Sequence, residues 1–165
     1  MQNHATLSPN QVVIGERLYE DAIDIVLASA QQELLIFDQD FSHGDFASLE
    51  KFSHFERFLS ENANSRLTIV LHSTTHFKEK CPRLFNLLEI YGHKMTVYET
   101  DDTAKHAKDC FILADGQHYI KRIHIDHARF KYALVDVETV KQLRARFDEL
   151  LEATQSTLSA THLGL

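Results

Sequence analysis

Short apolar runs that alternate with amphipathic helices are the feature of this sequence that most constrains its fold. Three such runs predict buried strands near 34–38, 66–72 and 94–99. Apolar residues at helical spacing precede the first run, over about 14–31, and also fill both intervals between the runs. A chain in which strands and helices alternate builds a parallel sheet with right-handed crossovers. We therefore expect three parallel strands with helices packed against them.

The second half of the chain has a different pattern. The runs 110–114 and 118–123 are strand-like and are separated only by Asp115, Gly116 and Gln117, and an Asp-Gly pair between such runs predicts a β-hairpin. Residues 130–135 have a less regular strand pattern, and Asp136 is placed to cap a last helix. The sequence thus predicts a single-domain α/β fold with a mixed β-sheet. The sheet is parallel in its first part, has an antiparallel hairpin near 110–123, and is flanked by helices.

Composition sets the class of protein and the domain limits. With 165 residues the chain is suited to one core, which we place at 11–155, between a disordered N-terminus at 1–10 and a C-terminal tail at 156–165. Cys81 and Cys110 are expected to be free thiols in a reducing compartment. No signal peptide or membrane-length apolar run is found, so we expect a cytoplasmic protein. The net charge of −7 argues against nucleic acid as a partner.

Polar side chains follow each of the three predicted parallel strands. Asp38 and Asp40 follow the first strand, His72 the second and Glu99 the third. Ligands of open α/β sheets bind at the carboxyl ends of the strands, so these four residues are the candidate ligand-binding site. The alternative is that they are ordinary polar loop residues. The chain has 11 histidines, but no set of them has the spacing of a zinc site, and we predict neither a metal nor a cofactor.

A second group of candidate residues precedes and follows the first strand of the hairpin. His106, Lys108 and Asp115 resemble the phospholipase D signature H-x-K-x4-D, in which the histidine attacks phosphorus and the lysine stabilises the charge on the phosphoryl oxygens. Counted from His106, the aspartate of the signature would be residue 113, which is Leu113 here, and Asp115 comes two residues later. The alternative is that His106 and Lys108 are solvated loop residues and that Asp115 makes the turn.

From its first predicted helix to its end, the chain resembles a bacterial phospholipase D-like domain family that has no assigned activity and lacks the intact signature. The resemblance is carried by five segments, at 33–37, 66–71, 111–116, 142–148 and 162–165. It implies one half of a phospholipase D-like unit.

Two functions follow as expectations. The first is a non-catalytic binding or regulatory module for a protein or small-molecule partner. The alternative is a homodimeric phosphodiesterase or nuclease that takes His106 and Lys108 from two chains. Phospholipase D-like halves often pair across a two-fold axis, so a homodimer is expected under either hypothesis.

Overall fold

The computed structural model describes residues 6–158, which form an eight-stranded sheet with helices on both faces. The strands are β1 (Val13–Ile14), β2 (Glu33–Asp38), β3 (Arg66–Leu71), β4 (Met95–Thr100), β5 (Cys110–Ala114), β6 (His118–His124), β7 (His127–Ala133) and β8 (Thr154–Leu158). The helices are α1 (Glu16–Ser29), α2 (Leu49–Glu61), α3 (Thr75–Lys80), α4 (Pro82–Ile90) and α5 (Val137–Glu152). The strand order is β1-β7-β6-β5-β2-β3-β4-β8.

The mixed sheet confirms the predicted fold class. β2 pairs with β3 and β3 with β4 in parallel, while β5 is antiparallel to both β2 and β6. The β5–β6 turn is the predicted hairpin, with Asp115 at φ 58° and Gly116 at φ 69°. These positive φ angles explain why Asp and Gly are the residues at this turn. The parallel strands have their carboxyl ends at one edge, where the candidate ligand site was predicted.

Two apolar cores lie on opposite faces of the sheet. Side chains of α1, α2, α3 and α4 form the larger core with one face of the strands. The smaller core lies under α5, whose buried residues Val140, Leu143, Phe147 and Leu150 recur at helical spacing. Asp136 caps α5 as predicted, since its carboxylate accepts hydrogen bonds from the backbone N–H and the hydroxyl of Thr139.

Three of these strands and α-helices were not predicted from the sequence. They are β1, which pairs with β7, α3, and β8, which pairs antiparallel with β4. β8 includes residues 156–158, the first part of the predicted tail, and the backbone N–H of Asn10 in the predicted disordered N-terminus donates to Tyr132. The domain limits 11–155 therefore remain a prediction. Residues 1–5 and the closing segment at 162–165 lie outside the described residues.

Candidate functional site

Asp38, the last residue of β2, is buried beneath the loop that follows it. Its side chain accepts hydrogen bonds from the backbone N–H of Phe41 at 2.7 Å and of Asp40 at 3.3 Å. Burial raises the pKa of the Asp38 carboxyl to about 6, although these hydrogen bonds and the thiol of Cys110 act in the opposite direction. The carboxylate thus holds the loop in place and is 3% exposed, which leaves it little access to a ligand.

His72 directly follows β3 and is engaged through both ring nitrogens. Nε2 lies 2.7 Å from the carbonyl oxygen of Ala107, and Nδ1 lies 2.7 Å from the hydroxyl of Thr100. A carbonyl only accepts, so Nε2 carries the proton and Nδ1 accepts from Thr100. The Lys105 ammonium donates to the same Thr100 hydroxyl, at 3.0 Å, which fixes that direction. Burial lowers the pKa of His72, so the neutral imidazole links the loops and has no free nitrogen.

Asp40 and Glu99 make their own local contacts. Asp40 accepts from the backbone N–H of Ser42 at 2.9 Å and from its hydroxyl at 2.6 Å. Glu99 accepts from the backbone N–H of Thr74 at 3.1 Å and from its hydroxyl at 2.9 Å. Within residues 6–158, no three of the four candidate residues bring possible metal-ligand atoms within 4.8 Å of one another. The strand ends thus place these residues at one edge, but their side chains do not converge on a common point.

The signature residues lie at opposite ends of β5. His106 and Lys108 are exposed before the strand, and His106 lines a small cavity of about 150 Å³ together with Arg146 and Glu149. Asp115 follows the strand, and its carboxylate accepts from the backbone N–H groups of Gln31, Gln32 and Glu33 at 2.7–3.0 Å. A five-residue strand is about 15 Å long, so Asp115 does not share a site with His106. Its role is to attach the hairpin turn to the start of β2.

A buried arginine near the strand ends was missed from the sequence. Arg122 of β6 is 1% exposed and donates to both carboxylate oxygens of Glu16, at 2.9 and 2.7 Å. Its guanidinium also lies 4.9 Å from the ring centroid of Tyr19. The hydrogen bonds from Arg122 hold the pKa of Glu16 below its usual value. No local pattern connects residues this far apart in the chain, so the sequence contained no signal for this pair.

Within residues 6–158, a group of side chains with metal-ligand potential lies elsewhere, between α1 and α2. Possible ligand atoms of Asp24, Glu50 and His54 lie within 4.8 Å of one another. The ammonium of Lys51, which is 1% exposed, is 3.0 Å from the Asp24 carboxylate and supplies the positive charge there. This arrangement fits a buried ion pair between two helices, because a divalent cation would have to displace the lysine.

Comparison with known proteins places the chain in a family. The family described as "Domain of unknown function (DUF7931)" matches residues 17–161, which is most of the chain. The protein belongs to the DUF7931 family. None of the curated proteins compared with it matches.

Solved structures of low sequence identity share the fold of this DUF7931 protein. Nuc from Salmonella typhimurium, a phospholipase D family member, superposes with a TM-score of 0.61 at 8% identity, over 91% of this chain and 99% of Nuc. NucT from Helicobacter pylori has a TM-score of 0.57 at 15% identity, over 87% and 96% of the two chains. The archaeal chromatin protein TrmBL2 has a TM-score of 0.66 at 14% identity over 88% of this chain, but this covers only 52% of TrmBL2. The fold is therefore phospholipase D-like.

The helices give one further result. Within residues 6–158, none of them combines the length and the apolar character that crossing a bilayer requires. Cys81 and Cys110 are free thiols in the structure, and both are buried.

Proposed function

We propose that this DUF7931 protein is a non-catalytic binding or regulatory module with a phospholipase D-like fold. The observation that carries the proposal is the position of the signature around β5. Counting back from Asp115 by the spacing H-x-K-x4-D puts Lys108 at the histidine position and Cys110 at the lysine position. Counting forward from His106 puts Leu113 at the acidic position. Neither register has all three residues of the signature.

Burial of Cys110 supports the same proposal. The residue is 1% exposed, and burial raises the pKa of its thiol well above the usual value, so it stays protonated and uncharged. A neutral thiol does not replace the lysine ammonium that stabilises phosphoryl oxygens. His72, the histidine of the strand-end candidates, has both ring nitrogens hydrogen-bonded, so neither is free to act as a nucleophile or a general acid.

A dimeric phosphodiesterase or nuclease is the second candidate, and the cavity beside His106 favours it. Arg146 lines that cavity, and an imidazole near a guanidinium is a suitable pair for a phosphoryl substrate. Arg146 is already held by Asp109, however, through two hydrogen bonds of 2.9 and 2.7 Å. The net charge of −7 also opposes an anionic polymer such as DNA.

Hydrolysis of a chromogenic phosphodiester and of single-stranded DNA tests the proposal. We expect no turnover above the blank in the native chain or in His106→Ala. The matched control is His93→Ala, which removes an exposed histidine before the amino end of β4. Turnover that is lost in His106→Ala but retained in His93→Ala would establish the dimeric enzyme, because loss of a catalytic group typically costs orders of magnitude in rate.

A homodimer remains part of the proposal. Two-fold dimers are the commonest assemblies, and both candidate functions are compatible with one. Light scattering of the purified chain at several concentrations measures the oligomeric state directly. Recovery of a protein partner from cell extract would identify what the module regulates.

A further inference from the structure

The face of the sheet that α5 leaves partly open contains a cavity of about 410 Å³. Its lining comes from β6, β7 and α5, and it includes Tyr119, Lys121, Ile123, Lys131, Gln142 and Leu143. Val12, just before β1, closes one side. We call this the open-face cavity. It is separate from the strand-end residues and from the small cavity beside His106.

Two lysines of the cavity stand directly opposite each other. Lys121 of β6 pairs with Lys131 of β7 in the antiparallel ladder, which places their Cβ atoms about 5 Å apart. Arg129, two residues before Lys131 on the same strand, is exposed on the same face. Like charges in directly opposed positions destabilise a sheet unless an anion lies between or beside them.

The protein itself supplies little negative charge to these lysines. The nearest carboxylate to Lys121 is that of Asp109, at 3.9 Å, and it already forms a bidentate pair with Arg146. Lys131 has no ion pair within residues 6–158, and no acidic side chain of that range lines the cavity. Within residues 6–158, the lining of this cavity has two basic and no acidic side chains, whereas the chain has 24 acidic and 17 basic residues.

The remaining wall of the cavity is apolar. Val12 and Ile123 are 45% and 42% exposed, and the buried Leu143 of α5 also lines the cavity. Thr139 and Gln142 add hydrogen-bonding groups from α5. Two cations beside an apolar wall suit a ligand that has an anionic head and an apolar body, because each part then meets complementary surface.

We propose that the open-face cavity binds a phosphate monoester with an apolar substituent. This inference rests on the proposed function as a binding module and names the chemical class of its ligand. The head group, with a charge of about −1.5 to −2 near neutral pH, matches the two ammonium groups of Lys121 and Lys131. The apolar substituent lies against Val12, Ile123 and Leu143.

Calorimetric titration with hexyl phosphate in phosphate-free buffer at low ionic strength tests the proposal. Hexanol provides the same apolar group without the charge, and inorganic phosphate provides the charge alone. We expect saturable binding of hexyl phosphate, weaker binding of inorganic phosphate and none of hexanol. Added salt should weaken binding, since the cavity is open to solvent. Vesicles that contain phosphatidate distinguish a lipid headgroup from a soluble ester.

Variants locate the site. Lys131→Gln should weaken binding of hexyl phosphate about tenfold by removing one of the two facing charges, and Ile123→Ser should weaken it by a smaller factor. Lys141→Gln is the matched control, because Lys141 is an exposed lysine of α5 that does not line this cavity. Urea midpoints verify that each variant is folded.

Several results would overturn the proposal. They are no binding of either hexyl phosphate or phosphatidate by the native chain, equal binding of hexanol, unchanged affinity in Lys131→Gln, and tighter binding of a single-stranded oligonucleotide. The proposed function fails on a different result, His106-dependent turnover of a phosphodiester. The two failures are therefore distinguishable.

Discussion

At the carboxyl ends of the parallel strands, polar side chains have hydrogen-bond partners within the chain. On the open face of β6 and β7, by contrast, two lysines face each other with little negative charge nearby. His72 uses both ring nitrogens and Asp38 accepts from two backbone N–H groups. Lys131, by contrast, stands opposite Lys121. Buried polar groups that are hydrogen-bonded within the protein need no ligand to satisfy them, whereas Lys131 has no ion pair within residues 6–158 and lines a cavity. We therefore propose that the strand-end side chains mainly hold the loops in place and that the open face is the binding site.

Replacing Asp38 with asparagine should have the largest effect, and the effect should depend on pH. Burial raises the pKa of this carboxyl from 3.8 to about 6, so the folded state retains the proton over a pH range in which the unfolded state releases it. The contribution of Asp38 to the free energy of unfolding is therefore present at low pH and declines as pH rises from about 4 to about 6. A shift of about two units corresponds to about 3 kcal/mol.

The measurement is urea unfolding of the native chain and Asp38→Asn from about pH 4 to about pH 7. Asparagine does not titrate, so the stability of the variant relative to the native chain should rise by up to about 3 kcal/mol across this range. Asp102→Asn is the control, because it replaces an exposed carboxyl by the same amide. If the free energies of unfolding of the native chain and Asp38→Asn change in parallel with pH, the buried carboxyl ionises as easily as an exposed one.

His72→Phe should have the next largest effect. Phenylalanine retains a ring but leaves the carbonyl of Ala107 and the hydroxyl of Thr100 without their imidazole partner. Loss of partners for such buried groups should lower the free energy of unfolding by about 2 kcal/mol. His106→Phe is the exposed control and should change it by less than about 0.5 kcal/mol.

His72→Phe, compared with Lys131→Gln, also tests the contrast between the two regions. If the strand ends serve only as framework, His72→Phe should leave the affinity for hexyl phosphate unchanged at a temperature where the variant is fully folded. If His72→Phe lost as much affinity for hexyl phosphate as Lys131→Gln does, the strand ends and the open face would form one binding site, and the contrast between them would be wrong.

Local signals explain what could be predicted from the sequence. The apolar runs of β2, β3 and β4 and the Asp115-Gly116 turn depend on neighbours in the chain, and the structure confirms them. β1 and β8 are edge strands that depend on pairing with β7 and β4, and no local pattern indicates such pairing. The same holds for the contact between Arg122 and Glu16.

The candidate sites show a similar limit. The rule that ligands bind at strand ends located Asp38 and His72 at one edge, but it does not determine whether a side chain faces a crevice or its own loop. The pairing of the two lysines could not be predicted, because the last strand was predicted at 130–135 and β7 in fact spans His127–Ala133. Without the register of β6 and β7, Lys131 cannot be placed opposite Lys121.

The smallest expected effect is a gain in stability when one facing lysine is neutralised. Lys131→Gln keeps a long polar side chain but removes the repulsion from Lys121, so the free energy of unfolding of the ligand-free protein should rise by about 0.5 kcal/mol. Lys141→Gln makes the same change in net charge on α5 and should give no gain, because removing a positive charge from a chain of net charge −7 does not relieve repulsion in general. Urea unfolding in phosphate-free buffer measures both variants, and the gain should shrink at high salt because the lysines are open to solvent.

Adding hexyl phosphate should make the native chain more stable than Lys131→Gln, since the native chain gains stability from a ligand that the variant binds more weakly. If the native chain is more stable than Lys131→Gln without ligand, the two ammonium groups do not repel each other measurably. The contrast between the open face and the strand ends would then be wrong.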